Sequence, residues 1–208
     1  EIYTLSLHDA LPICVSQLEK LGISCDWSRD SFTLDENLSE AVSEVFIKMY
    51  NDNLIYQGDR IVNWCSNCKT AISDIEVEYK EDQGKLYYIK YYYKDSDEYI
   101  SIATTRPETI FGDLAVAVNP EDERYKNCIG RHILVPLVDR EVELIADSYV
   151  DMEFGTGAVK ITPSHDLNDF EVGKRHNLGQ CVVIDNYGKI SQGFGEFSGL
   201  EREKARIS

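Results

Sequence analysis

KLYYIKYYYKDSDEYISIATT, residues 85–105, holds a first run that alternates around its tyrosines, KLYYIKYYY, and a second, YISIATT, in which Ile100 and Ile102 flank Ser101; the acidic turn KDSDE separates them. Alternation with a period of two is typical of β-strands that bury one face. Two such runs joined by a short polar turn predict a β-hairpin. We therefore expect a sheet to begin at this point of the chain.

Further β-structure is predicted after the hairpin, with two short helices between the strands. One helix is expected over PEDERYKNC, with Pro120 in its first turn, and one over LNDFEVGKRHN, with Asp166 as its N-cap. Many short strands and few helices favour a barrel or curled sheet, so the fold class is mainly β with short helices, of α+β character. The strand candidates are LAVAV (114–118), HILVPLV (132–138), VELIA (142–146), GAVKIT (157–162) and QCVVID (180–185).

The earlier part of the chain has helical patterns. VSQLEKLG (15–22) is a short amphipathic run that ends on a glycine, as helices commonly do. ENLSEAVSEVFIKMYNDN (36–53) has apolar residues at helical spacing after Asp35, a candidate N-cap, and predicts a helix with one packed face. Residues 1–13 open with Glu and resemble translated adaptor sequence, so we expect this segment to be non-native.

Composition limits the classes of function. The 208 residues carry a formal net charge of −16, which opposes broad binding to a phosphate backbone, so contact with nucleic acid is expected to be local. No run of 18 apolar residues predicts a membrane span. Six irregularly spaced cysteines and no visible signal peptide predict a reducing cytoplasm.

Cys65 and Cys68 form a CxxC knuckle that could supply two thiolate ligands to zinc. A closed structural site needs four ligands, and no second CxxC or Cys-His pair at usable spacing follows. We predict half of a zinc site, whose other ligands would lie outside this chain. Cys128 and Cys181 are isolated and are expected to be small buried residues.

Two segments concentrate polar groups where predicted strands end. TTRPET (104–109) follows the hairpin, and KITPSHDLND (160–169) leads from a strand into a helix. Paired aspartates at such a junction can hold an ammonium group, while arginine and lysine can hold an anion or a carbonyl oxygen. The alternative is purely structural: Asp166 caps the helix, Arg106 pairs with Glu108, and His165 is a hydrogen-bonded scaffold residue.

Four stretches, in order, resemble the valyl-tRNA synthetase family from about Val15 onward. The leucyl family typically has TTRPDT and the isoleucyl family TTTPWT where this chain has TTRPET. Leu167 departs from the family, which usually has proline there, without touching a proposed polar role. The four stretches are SCDWSRDSFTLDENLSEAV (24–42), IVNWCSNCKTAISDIEVEY (61–79), ATTRPETIFGDLAVAVNPEDERY (103–125) and FGTGAVKITPSHDLNDFEVGKRHNL (154–178).

The resemblance implies a domain division and an activity. Residues 81–208 would form a barrel-like class I editing domain, and residues 14–80 a strap from the parent synthetic domain that carries the CxxC half-site. In this family the editing domain hydrolyses threonyl-tRNA mischarged for valine, while the full-length enzyme attaches valine to its tRNA with ATP. The HIGH and KMSKS signatures are absent from this chain, so we expect no aminoacylation by it alone.

The resemblance also implies site residues. Asp169 would hold the α-ammonium of the substrate, and Asp166 would support it or orient a water. Arg106 and Lys160 would contact the terminal adenosine or stabilise the oxyanion as water attacks the ester. The predicted catalytic residues are Asp169, Asp166 and Lys160, and the predicted substrate-binding residues are Arg106, Thr109, Thr162 and Thr105.

The same resemblance predicts partners, oligomeric state and cofactors. We expect the 3′ end of a mischarged tRNA(Val) and the remainder of the synthetase as partners, a monomer, no membrane, and no cofactor in this fragment apart from the incomplete zinc site. Two alternatives stay open: a catalytically silent structural module of the synthetase, or the editing domain of an isoleucyl- or leucyl-type enzyme.

Overall fold

The computed structural model describes residues 7–29, 31–94 and 96–207, with side chains described from residue 13 onward. It divides into two compact units, one ending at Asp59 and one starting at Arg60. Residues 77–86, where the domain boundary was predicted, have no helix or strand. No described helix has both the length and the apolar character of a membrane span.

The first unit is helical. It contains helix α1 (Leu7–Lys20), a 3₁₀ turn (Trp27–Arg29) and helix α2 (Glu36–Asn51). Gly22 follows α1 with φ +76°, the left-handed conformation that the glycine was expected to supply. Helix α1 begins inside the segment predicted to be non-native, and that prediction about its origin stays a prediction.

Helix α2 differs from expectation at its cap and on its apolar face. Asp35 is the N-cap residue but makes no side-chain capping bond, because its Oδ2 accepts the N–H of Phe32 at 2.9 Å. The apolar face was predicted to pack, yet α2 has no buried residue, and Phe46 is 61% exposed. Helical spacing fixes which residues share a face, but burial needs a second surface, and no other described residue of the first unit buries this face.

The second unit is a mainly β structure. A small hairpin, β1 (Asn63–Cys65) and β2 (Thr70–Ile72), precedes a six-stranded sheet. The order in that sheet is β4-β3-β6-β7-β5-β8, antiparallel except for the parallel pair β5 and β7. Its strands are β3 (Tyr87–Tyr93), β4 (Tyr99–Thr104), β5 (Ala115–Val118), β6 (His132–Val135), β7 (Arg140–Ala146) and β8 (Ala158–Ile161).

Edge strands β4 and β8 approach each other, so the sheet curls into a nearly closed barrel. The predicted mainly β, barrel-like fold is therefore confirmed. In the β3–β4 hairpin, alternation sends Tyr91 and Ile102 inward with 0% exposure, while Tyr88 stays 63% exposed on the outer face. Burial of one face of each strand builds the core that positions the strand ends.

Two predicted elements are wrong. QCVVID forms no strand, because the N–H of Cys181 bonds Ser164 Oγ and that of Val183 bonds His165 Nε2, so neither is offered to a neighbouring strand. PEDERYKNC forms turns and a 3₁₀ turn (Lys126–Cys128) rather than an α-helix. The Asx turn at Asp122 takes the N–H of Arg124, which in a helix starting at Pro120 would bond the carbonyl oxygen four residues earlier.

The second predicted helix is confirmed. Helix α3 (Leu167–Arg175) starts after Asp166, whose Oδ1 accepts the N–H groups of Asn168 and Asp169 at 2.8 and 3.2 Å. Near the end of the described chain lies a four-residue helix, α4 (Arg202–Ala205), which the sequence pattern did not predict.

Candidate functional site

A cavity of about 370 Å³ opens beside the end of β4, between the 3₁₀ helix Pro107–Gly112, strand β8 and the start of α3. Residues 149–154 form part of its rim. Every polar residue that the two motifs predicted lines this one cavity. They are Thr105, Arg106, Thr109, Lys160, Thr162, Asp166 and Asp169.

Arg106 joins the two motifs. Its Nη1 donates to the backbone oxygen of His165 at 2.6 Å, which fixes the strand exit against the turn before α3. The predicted pairing of Arg106 with Glu108 is loose, since Nε and Oε1 are 4.0 Å apart. The buried Glu108 instead receives two bonds from Arg206, at 2.7 and 3.0 Å. Glu108 is thus held from the end of the described chain, which leaves Arg106 to face the cavity.

Lys160 lies on the cavity wall, yet its ammonium is engaged within the protein. Nζ donates to Thr109 Oγ1 at 2.7 Å, Thr162 Oγ1 at 2.5 Å and Asp113 Oδ1 at 3.0 Å. An ammonium group has three N–H donors, and these three acceptors satisfy them. The predicted contact of Lys160 with an oxyanion stays a prediction, while the observed bonds make Lys160 the centre of a buried network.

Asp113 and Tyr91 complete that network and had no predicted role. Asp113 has 0% exposure, and its Oδ1 also accepts the hydroxyl of Thr162 at 2.7 Å. Its Oδ2 accepts the Tyr91 hydroxyl at 2.6 Å, and burial together with this carboxylate raises the pKa of Tyr91 well above its ordinary range. The one sequence signal was an aspartate four residues after TTRPET, directly before the predicted strand LAVAV.

The two aspartates at the start of α3 have different environments. Asp166 is half-buried and spends Oδ1 on capping, as the structural alternative predicted, although it also lines the cavity. Asp169 is buried, and its Oδ2 accepts the Thr162 N–H at 2.8 Å. Burial raises the pKa of Asp169 to about 6, so the carboxylate is ionised at neutral pH at a cost in free energy. A cation entering the cavity would relieve that cost.

His165 belongs to the scaffold. Its Nε2 accepts the N–H groups of Val183 and Ile184 at 2.7 and 3.3 Å. Burial and, after it, the nearby Arg106 and Lys160 cations lower the pKa of His165 to about 4. A neutral ring whose acceptor nitrogen is occupied is not placed to take a proton from water.

This state of His165 is measurable. We expect two-dimensional NMR of the ring nitrogens to show a neutral imidazole, unprotonated at Nε2, down to about pH 4. In the urea-unfolded chain the ordinary value of about 6.5 should return. Because folding lowers the pKa, this ring stabilises the fold above about pH 6.5, and that contribution is lost as the pH falls towards 4. A folded-state midpoint near 6.5 would contradict the assignment.

The predicted metal half-site is a tight turn in the β1–β2 hairpin. The N–H of Cys68 points to Cys65 Sγ at 3.3 Å, and the N–H groups of Cys68 and Asn67 lower the pKa of the Cys65 thiol. Within residues 7–29, 31–94 and 96–207, no group of three or more His, Cys, Asp or Glu side chains is arranged to hold a metal ion. Zinc binding therefore stays a prediction.

Comparison with known proteins places the chain in a family. The model for class I tRNA synthetases (I, L, M and V) matches residues 9–192. This chain belongs to the class I tRNA synthetases. The resemblance to valyl enzymes is confirmed by 60% identity over 190 residues to the valine–tRNA ligase of Clostridium acetobutylicum, and by 57% over 190 residues to that of Thermotoga maritima.

Both matches cover 91% of this class I synthetase chain but 22% of the ligase, so the chain spans about a fifth of the length of these relatives. A solved structure also matches: the LeuRS of Agrobacterium radiobacter K84 agnB2, in a ternary complex with tRNA and LeuAMS. Its TM-score is 0.46 at 20% identity, with 96% of this chain and 34% of that chain covered.

Proposed function

We propose that this chain is the editing part of a valine–tRNA ligase, and that it hydrolyses the ester of threonine mischarged onto tRNA(Val). The observation that carries the proposal is the Asp169 carboxylate, buried in the wall of the cavity with its pKa raised to about 6. A carboxylate kept ionised in such a place is suited to accept the α-ammonium of an aminoacyl ester.

The polar lining of the cavity can distinguish threonine from valine by the hydroxyl group that only threonine carries. An apolar synthetic pocket cannot strongly reject a substrate that only adds a hydroxyl, and valyl-tRNA synthetases facing threonine are the usual example of this limit. A second cavity that hydrogen-bonds the hydroxyl reverses the selection. Valine would leave the cavity's buried polar atoms unpaired and would be held poorly.

The other site residues have roles consistent with their contacts. Arg106, half-buried at the strand exit, contacts the terminal adenosine or the developing oxyanion, and Thr105 lies at the exposed edge of the cavity. Lys160 acts mainly by holding Thr109 and Thr162 in place. Because the acceptor nitrogen of His165 is occupied, we assign no protein base, and the terminal ribose hydroxyl of the tRNA would position the water.

The parent protein extends the proposal. The full-length enzyme would attach valine to tRNA(Val) with ATP in the cytoplasm, as a monomer, and would supply most of the affinity for tRNA. This acidic chain would contact only the 3′ end, since its net charge of −16 opposes broad contact with the tRNA backbone.

The test is hydrolysis by the 208-residue chain of two esters, threonyl-tRNA(Val) and valyl-tRNA(Val). We expect the threonyl ester to be cleaved at least about 100-fold faster than the valyl ester, because selection rests on a hydroxyl held by buried polar groups. The correctly charged and mischarged forms of tRNA(Ile) and tRNA(Leu) are tested in the same way. Faster cleavage of one of these mischarged esters would favour an isoleucyl- or leucyl-type editing domain. Equal, uncatalysed rates for all esters in a folded sample would favour the silent structural module and refute the proposal.

A further inference from the structure

The rim of the cavity includes one loop without regular structure, residues 149–157, called the rim loop below. It supplies Tyr149, Val150, Asp151 and Phe154 to the cavity lining. Val150 packs in the core with 2% exposure and anchors the start of the loop, but Phe154 is 61% exposed, so little packing holds the rest of it. Something else must fix its path, because a loop with few packed side chains opens readily.

Three side chains from another loop bond to backbone oxygens along the rim loop. Asn119 Nδ2 donates to Val150 O at 2.8 Å, Arg124 Nη2 to Met152 O at 2.7 Å, and Tyr125 OH to Thr156 O at 2.8 Å. All three donors lie in residues 119–125, called the brace below. The brace thus bonds near the start, the middle and the end of the rim loop.

The Arg124 side chain is itself oriented. The carboxylate of the buried Asp122 accepts hydrogen bonds from Nε at 2.9 Å and from Nη2 at 2.6 Å. These two bonds fix one edge of the guanidinium, and its Nη2 also donates to Met152 O. Gly157 has φ +73°, and a Cβ there would collide with Arg124 Nη2. The glycine both allows the backbone conformation and leaves room for the guanidinium.

We infer that the brace sets the shape of the cavity rim, with Arg124 and Tyr125 as positioning residues for substrate binding. This inference rests on the proposed function for its kinetic consequence, but the mechanical part stands by itself. Asp169 and Thr162 are held by α3 and β8, not by the rim loop. Loosening the brace therefore weakens substrate binding and leaves the hydrolytic groups where they are.

The mechanical part is tested by limited digestion of the 208-residue chain with chymotrypsin, followed by mass spectrometry. Tyr125→Phe removes one hydroxyl, and Arg124→Lys cannot grip Asp122 and Met152 O together. For each variant we expect cleavage after Phe154 to rise about fivefold, as loss of one hydrogen bond implies, while cleavage after the buried Phe111 is unchanged. The controls are Tyr92→Phe, on the outer face of β3, and Lys126→Gln, beside the brace.

Two results would overturn the inference. Unchanged cleavage after Phe154 in both variants would mean that the brace does not hold the loop. An equal rise after Phe154 and Phe111 would mean that it only contributes to global stability.

The kinetic part uses threonyl-tRNA(Val) as substrate. We expect KM to rise about fivefold in both variants, with kcat within twofold of that of the unsubstituted chain. The interactions lost are with bound substrate and not with the transition state alone. An equal fall in kcat and kcat/KM would refute a positioning role. If the unsubstituted 208-residue chain hydrolyses no ester, the proposed function fails. Cleavage after Phe154 still decides whether the brace holds the rim loop.

Discussion

Asp169→Asn is expected to abolish ester hydrolysis and to raise the melting temperature of the chain. The amide loses the negative charge that accepts the substrate ammonium, so we expect kcat/KM for threonyl-tRNA(Val) to fall at least about 100-fold. The asparagine oxygen can still accept the Thr162 N–H, the bond that Asp169 makes now. The local structure is therefore retained while the charge is removed.

The stability gain follows from the sign of the pKa shift. Burial raises the pKa of Asp169 to about 6, so this group favours folding at low pH, and that contribution is lost as the pH rises through 6. At pH 7 the ionised carboxylate then costs about 2 kcal/mol, after allowance for its partial exposure. Removing the charge should raise Tm by about 5 °C, measured by calorimetry at pH 7.

Two controls make the Asp169 result specific. Asp185→Asn changes an aspartate outside the cavity lining and should preserve hydrolysis. In the unsubstituted 208-residue chain, kcat/KM should fall about tenfold per pH unit below pH 6, as Asp169 becomes protonated. If Asp169→Asn remained active, or if its Tm fell, the carboxylate would not be the strained ammonium site proposed here.

Local patterns were enough to predict the hairpin and to single out the two polar segments that line the cavity, while the roles of their residues came from the resemblance to valyl-tRNA synthetases. The spacing of Ile89 and Lys90 in β3, and of Ile100 and Ile102 in β4, assigns the inner and outer faces, and the register confirms it, although tyrosines lie on both faces of β3. The predicted polar residues of the cavity come from two short segments at strand ends, and polar groups at such ends converge when the strands share a sheet. Asp166 had a cap signature that needed no tertiary information.

Contacts between distant residues could not be read from the chain. Tyr91 reaches Asp113, and Arg206 reaches Glu108 across 98 positions, and periodicity gives each residue a face but no partner. The error at QCVVID has the same origin, because side chains from another loop take N–H groups that the pattern assigns to a strand. The brace was missed because Asx turns override a weak helical pattern.

Lys160→Met should have the largest effect on stability of any substitution at the site. It leaves the Asp113 carboxylate with 0% exposure and no counter-ion, and breaking a buried pair on one side costs about 3–5 kcal/mol. Urea unfolding of the 208-residue chain measures that loss. The matched control is Lys94→Met, whose pair with Glu141 is short at 2.7 Å but half-exposed, and which should cost less than about 1 kcal/mol.

A second substitution separates charge pairing from catalysis. Adding Asp113→Asn to Lys160→Met removes the unpaired carboxylate. The amide can accept from one of the Tyr91 and Thr162 hydroxyls and donate to the other, so at least half of the lost free energy of unfolding should return. Additive losses would contradict the coupling.

The activity of the folded double variant then assigns the lysine. If Lys160 only positions Thr109 and Thr162, hydrolysis should stay within about tenfold of the unsubstituted chain, since the Thr109 hydroxyl still donates to Arg106 O and the Thr162 hydroxyl still has residue 113 as a partner. A loss of about 100-fold or more, in a variant whose fold has been restored, would mean that the ammonium turns from Asp113 to the substrate oxyanion during the reaction. The three bonds of Lys160 would then describe the resting state of a catalytic residue.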